Sequence, residues 1–193
     1  RVLCSVFLVL TLSVVTEVYR VGTDKRVSPQ IWVYANKQAT LVHFIVSAQE
    51  SYLVSTLPPQ AISKMVGQLN RNYWQPHHIA PPKQIVSSDA RTKFFLKKGN
   101  SFLLGSKRIM LCATSVALTC SRPANPYPLD LLIVSRGCID SFEAMQSYFT
   151  PGQVVLASSL PSWQRSAWRT ACQRAGVPCH DVAESGAYNF VVR

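Results

Sequence analysis

Carboxylates are scarce in this chain. Nine Asp plus Glu stand against 20 Lys plus Arg in 193 residues, a net charge of +11. That supply leaves little material for paired acid/base catalysis or for hard-cation sites, which are built from oxygen ligands. The six cysteines contain no C-x-x-C pair, which excludes a zinc ribbon and a thioredoxin-type redox motif. Gly-x-Ser-x-Gly, the P-loop and the dinucleotide glycine fingerprint are all missing. Eight glycines exclude collagen-like and low-complexity chains, and a hydrophobic content of 48% excludes a disordered one. No internal repeat is visible. What is present fits one domain, or one domain with an appendage. A folded part of about 150 residues buries about two-thirds of its unfolded surface, enough to hold together without staples. An isoelectric point near 9.7 directs attention to phosphate-rich partners, nucleic acid or anionic lipid.

Val2 to Thr16 is a run of fifteen uncharged residues bracketed by Arg1 and Glu17. As a helix it spans about 22 Å at ~1.5 Å per residue, short of the ~30 Å hydrocarbon core. Three readings compete: a transmembrane helix cut at its amino end, a signal-peptide apolar region missing its start, or a buried helix. The first is preferred, because the chain opens on Arg1 without an initiator Met, no small-x-small cleavage site follows, and the run has no polar face. The expected organisation is therefore a truncated transmembrane helix over 1–19, a connector over 20–30 and a domain over 31–193. Arg20, Lys25 and Arg26 lean toward a cytoplasmic carboxyl side.

Ile31 to Asn36, Thr40 to Ser47 and Glu50 to Ser55 are rich in β-branched and aromatic residues and read as strands. Pro58-Pro59 opens a helix from about Gln60 to Tyr73, with Ile62, Met65, Val66 and Leu69 at helical spacing. Phe94 to Leu96 and Phe102 to Leu104 flank Gly99-Asn100, a pair that tolerates the positive φ of a hairpin turn, and a strand over Arg108 to Cys112 follows. The first half is thus expected to be mostly antiparallel sheet. Beyond the proline-rich loop Ser121 to Pro128 the pattern alternates: strand Leu129 to Val134, helix Ser141 to Phe149, strand Val154 to Ala157, helix from an N-cap at Ser162 to Arg174, and strands Val177 to Val182 and Ala187 to Val192. On the long helix Trp163, Ala167 and Ala171 form one stripe with Trp168 and Cys172 beside it, and Gly176 supplies a left-handed cap.

Of the candidate chemistry, His77 and His78 lie in a proline-rich loop with no acidic residue near in sequence, and His43 and His180 lie within strands, where a satisfied sheet residue is the plain reading. Most of the cysteines, Cys4, Cys112, Cys120, Cys138, Cys172 and Cys179, fall in apolar runs and read as small buried thiols, although Cys172 and Cys179 could pair in an oxidising compartment. Between Lys83 and Arg108 there are seven cations against Asp89 alone, with Phe94, Phe95 and Phe102 interleaved. Two readings stand side by side: a hairpin that tracks a phosphate backbone, or a lysine-guarded sheet edge whose aromatics face the core.

The last third resembles the carboxyl-terminal domain of ComEC-family DNA-uptake proteins. Asp130, Leu132 and Val134 match that family's Asp-x-Leu-x-Val strand, Leu160-Pro161-Ser162 stands where it has Gly-His-Pro-Ser, and Ala175-Gly176-Val177 and Gly186-Ala187 match later landmarks. The likeness is specific over about Leu129 to Val192. The family's His-His-Gly-Ser turn is replaced by Ser135-Arg136-Gly137-Cys138, and no His-x-His-x-Asp-His run precedes residue 100. The resemblance implies an α/β (α+β) fold, a metallo-β-lactamase-like mixed sandwich placed after a membrane bundle, here lacking the ligands for a metal. It implies a non-enzymatic domain without cofactor, in an inner (plasma) membrane DNA-uptake channel whose upstream bundle is its partner, with the domain on the periplasmic face. Single-stranded DNA is the expected partner, and Lys93, Lys97, Lys98, Lys107, Arg108 and Arg136 are the expected nucleic-acid contacts. The alternatives are an active metal-dependent phosphoesterase using His77, His78, His180 and Asp181, and a secreted basic binding protein.

Overall fold

The computed structural model describes residues 28–48, 50–76, 79–85, 88–115 and 123–192. The apolar run assigned to 1–19, most of the connector, His77, His78, Cys4 and Cys120 lie outside them. Among the described residues no helix is long and apolar enough to cross a membrane.

Strands β1 (Gln30–Val33), β2 (Leu41–Ile45), β3 (Ser51–Ser55) and β4 (Gln84–Ile85) form one sheet together with the carboxyl-terminal β14 (Tyr188–Val191), in the order β14-β1-β2-β3-β4. A seven-stranded sheet runs β13-β12-β10-β8-β7-β6-β5, made of β5 (Ala90–Arg91), β6 (Phe95–Lys98), β7 (Ser101–Leu104), β8 (Lys107–Cys112), β10 (Leu131–Val134), β12 (Val154–Leu156) and β13 (Cys179–Asp181). A small parallel pair, β9 (Tyr127–Leu129) and β11 (Phe149–Pro151), stands apart.

The side chains explain the layering. Successive residues of a strand face opposite ways, and strands buried on both faces read as continuous apolar runs. In β2, Val42 and Phe44 join Phe95, Phe102, Ile109, Leu131 and Ile133 in the core between the sheets. Leu41 of the same strand turns instead to Ile62, Met65, Leu69 and Trp74. These four belong to a 3₁₀ turn (Pro59–Ile62), helix α1 (Ser63–Leu69) and a π-helical turn (Asn70–Trp74), so the helix expected after Pro58-Pro59 exists but changes pitch twice. On the far side, Leu132 and Val134 of β10 pack on Phe142 and Met145 of α2 (Phe142–Gln146) and on Trp168, Ala171 and Cys172 of α3 (Ser162–Arg174). The order of layers is helix, sheet, sheet, helices.

The strands expected from composition are all present, with four corrections. The helix expected over Ser141 to Phe149 is shorter, covering only Phe142–Gln146, and Phe149 belongs instead to β11, paired in parallel with β9. The cap of α3 is Pro161 with no side-chain hydrogen bond, since a proline already supplies the extended φ and leaves Ser162 as the first helical residue. Trp163 points outward at 73% exposure and Gln164 takes the inner position, donating its side-chain amide to the Cys138 carbonyl. The strand expected up to Val182 stops at Asp181, whose carboxylate accepts the Ala183 N–H at 2.9 Å and starts the short helix α4 (Val182–Ser185).

Candidate functional site

Strands β8, β10 and β12 run parallel, so their carboxyl ends open at one end of the seven-stranded sheet. In open α/β sheets ligands bind outside the carboxyl ends of parallel strands. Here the three ends feed Ala113 and Thr114, then Arg136, then Ser159 into one cleft of about 450 Å³. The other sheet contributes Gln38 and the segment from Val54 to Leu57. No carboxylate is among the lining residues; the charged ones are Lys97 and Arg136.

Under the cleft three hydroxyls join the two sheets. Thr40 Oγ1 lies 2.8 Å from Ser135 Oγ and 2.8 Å from Ser159 Oγ, and all three residues are buried. The Arg136 N–H donates to Ser159 Oγ at 3.3 Å. The turn that carries Arg136 is fixed on several sides. Cys138 forms a disulfide with Cys112 at the end of β8, the Ser135 N–H donates to the Cys112 carbonyl at 2.9 Å, and Gln164 holds Cys138 from α3. Gly137 is required between them: its φ is +99°, and a Cβ there would lie 2.3 Å from the Ala113 carbonyl oxygen.

Lys97 reaches the cleft because β6 alternates. Phe95 and Lys97 share the inner face while Lys98 turns out to solvent. Lys97 pairs across the hairpin with Phe102, and its Nζ stands 6.0 Å from that ring's centroid. The residue is only 8% exposed, and among the described residues its ammonium has no hydrogen-bond or carboxylate partner. An ammonium on the wall of a cleft with no carboxylate in its lining attracts an anion.

The six cations expected to contact nucleic acid therefore divide. Lys97 and Arg136 share the cleft, with Lys98 beside it at the hairpin turn, where the Gly99 N–H donates to Asp89 Oδ1 at 2.7 Å. Lys107 and Arg108 open β8 at the opposite end, about 15 to 20 Å away at ~3.3 Å per residue. There Lys107 is paired with Asp130 at 3.0 Å, and the same carboxylate accepts the Arg108 N–H at 2.9 Å. That contact and Lys107 together hold the Asp130 carboxyl below its ordinary range in spite of burial. The Arg108 side chain lines a separate apolar pocket of about 430 Å³ with Leu103, Tyr127 and Tyr148. Lys93 stands over the Phe94 ring, 5.1 Å from its centroid. No single track joins all six.

The remaining candidates are engaged elsewhere. His180 and Asp181, neighbours in β13, point to opposite faces: His180 Nε2 donates to the Gly186 carbonyl at 3.1 Å, and Asp181 binds Arg165 at 3.0 Å. His43 is fully buried with Nδ1 at 2.9 Å from the Tyr34 hydroxyl, which also accepts from Trp74 Nε1 at 2.7 Å. Burial holds the His43 imidazole down to about pKa 4 and pushes the Tyr34 phenol up. Among the described residues the one convergent group of potential metal ligands is Cys112, Cys138 and Asp140, with ligand atoms within 4.8 Å of one another. Its two sulfurs are bonded to each other, so neither is a thiolate. The disulfide replaces the reading of both residues as simple buried thiols. Cys172 and Cys179 are free, and their thiols interact: the contact with Cys179 and burial push Cys172 up, and the contact with Cys172 holds Cys179 down.

The cleft lining does not suit a dication. Neutral hydroxyls beside an ammonium and a guanidinium offer no anionic oxygen and oppose a second positive charge. The family model that matches this chain describes the ComEC C-terminal domain, over residues 31–192. No curated protein and no solved structure is matched.

Proposed function

The chain belongs to the ComEC family through a domain covering residues 31–192, and from that premise we propose that it is a non-catalytic part of a competence channel that guides single-stranded DNA. The layered arrangement is read as a metallo-β-lactamase-like shell, and its cleft as the vestige of a metal centre. Ser135 and Arg136 stand where the family resemblance leads one to expect metal-binding histidines. The domain's partners would be DNA and the upstream membrane bundle of the same protein, at the periplasmic face of the inner membrane.

The observation that carries this reading is the cleft itself. The turn after parallel strand β10 presents Arg136 and the β6–β7 hairpin presents Lys97 to one cleft, beside Ser159 and with no carboxylate in the lining. Hydrolysis of a phosphodiester by a dimetal mechanism needs ions to bring water's pKa down toward ~7 and to clamp the in-line oxygens. This donor set supplies neither, whereas its charges suit a phosphate.

The test has two arms. The purified chain should carry no stoichiometric zinc or manganese, and it should leave labelled single strands intact when either metal is added. It should nevertheless retain those strands in a binding assay. Bound metal together with strand cleavage would establish the enzyme instead.

A further inference from the structure

The cleft is shaped for one group rather than for a length of strand. Its volume of about 450 Å³ falls within the range of small-ligand pockets, and Ser159, which lines it, is tied through the buried Thr40 hydroxyl to Ser135. Two positive side chains line it, and one of them, Lys97, has no hydrogen-bond or carboxylate partner among the described residues. The Arg136 guanidinium is likewise without a partner there, on a turn held by the Cys112–Cys138 disulfide. A guanidinium offers a planar fork that matches the oxygens of a phosphate, and an ammonium offers a point charge. Neutral donors at the rim, Gln38, Asn100 and Thr114, suit the less charged remainder of a ligand.

The charge count separates two kinds of phosphate. A phosphodiester in a strand carries one negative charge, whereas a monoester carries about −1.5 to −2 at pH 7 with three free oxygens. The geometry points to a phosphomonoester site, formed by Lys97 and Arg136 and filled by the terminal phosphate of a DNA strand or by a free mononucleotide. That the phosphate belongs to DNA rests on the function proposed above; the site itself rests on the cleft.

The experiment measures affinity of the whole chain for four probes: a 5′-phosphorylated oligothymidylate, its 3′-phosphorylated isomer, the same oligomer with hydroxyl ends, and thymidine monophosphate. At least one phosphorylated end should bind roughly tenfold to a hundredfold more tightly than the hydroxyl form, the range expected for a charge-assisted contact. Arg136→Gln, which alters an exposed side chain, should erase that preference, and Lys97→Met should do the same if it folds. Equal binding of all oligomers, weakened by Arg136→Gln, would overturn the monoester site and leave DNA guidance standing. Binding of the mononucleotide without binding of any oligomer would uphold the site and remove DNA guidance. A terminal preference that survives Arg136→Gln would overturn the assignment of the site to this cleft.

Discussion

The Cys112–Cys138 disulfide offers the most calculable perturbation. It joins the end of β8 to the turn after β10 across a sequence separation of 26. On the chain-entropy account, closing a loop of that length removes enough freedom from the unfolded chain to stabilise the fold by about 3.5 kcal/mol. Local geometry is already held by other contacts: Ser135 N–H on the Cys112 carbonyl, Gln164 on the Cys138 carbonyl and the close seat of Gly137 on Ala113. The fold should therefore survive reduction, at lower stability. Urea denaturation of oxidised and reduced protein, followed by tryptophan fluorescence, should give separate midpoints, and peptide mass spectrometry should recover a fragment joining Cys112 to Cys138. Cys112→Ser combined with Cys138→Ser should behave as the reduced form. Superimposable curves with and without reductant, when the crosslinked fragment is present beforehand, would refute the argument that the bond stabilises this turn.

Other outcomes follow from single residues. His43 is neutral in the fold with its pKa held down to about 4, against 6.5 ordinarily. Between those values the unfolded chain binds a proton that the native one does not, so stability should fall as pH drops from 6.5 toward 4, by on the order of 3 kcal/mol. Urea midpoints across that window measure the fall; an identical slope in His43→Gln would assign it elsewhere. Gly137→Ala should cost at least about 3 kcal/mol in thermal or urea unfolding, since it adds a clash with the Ala113 carbonyl to a backbone conformation that itself costs ~1–3 kcal/mol. Lys107→Ala should change stability by no more than about 1 kcal/mol, because its pair with Asp130 is partly solvated, and strand binding should be unaffected because Lys107 lies at the far end of β8.

Much of the fold was legible because local patterns and tertiary structure agree. Strand β10 is a run of Leu, Ile and Val, β2 is the same kind of run with Phe44 and broken only by His43, and Gly99-Asn100 announces the β6–β7 hairpin. The site was less legible. Arg136 is singled out by the family resemblance, as the residue standing in the turn where that family has histidines, but the cleft depends on β8, β10 and β12 lying side by side in parallel, which no local pattern encodes. The disulfide is illegible for the same reason: Cys112 and Cys138 meet only because β8 and β10 are neighbours. Lys97 did leave a signal. The alternation Phe95, Leu96, Lys97 puts the lysine on the phenylalanine's inner face, while counting cations along the segment merged it with Lys93, Lys107 and Arg108, which the fold sends elsewhere. The exposure of Trp163 is not legible either, because helical spacing gives a stripe without saying which side of it meets the sheet.

The central claim is that the cleft end of the sheet meets phosphate with Lys97, Lys98 and Arg136. Its most direct test is the salt dependence of single-strand affinity for the native chain and for the triple variant Lys97→Gln, Lys98→Gln, Arg136→Gln. Each neutralised phosphate contributes about −0.7 to the log-log slope, so removal of the three cations should flatten it by roughly 0.7, for a single phosphate shared between them, to roughly 2, for one phosphate each. A slope that is the same in both proteins, with circular dichroism showing both folded, would contradict the account.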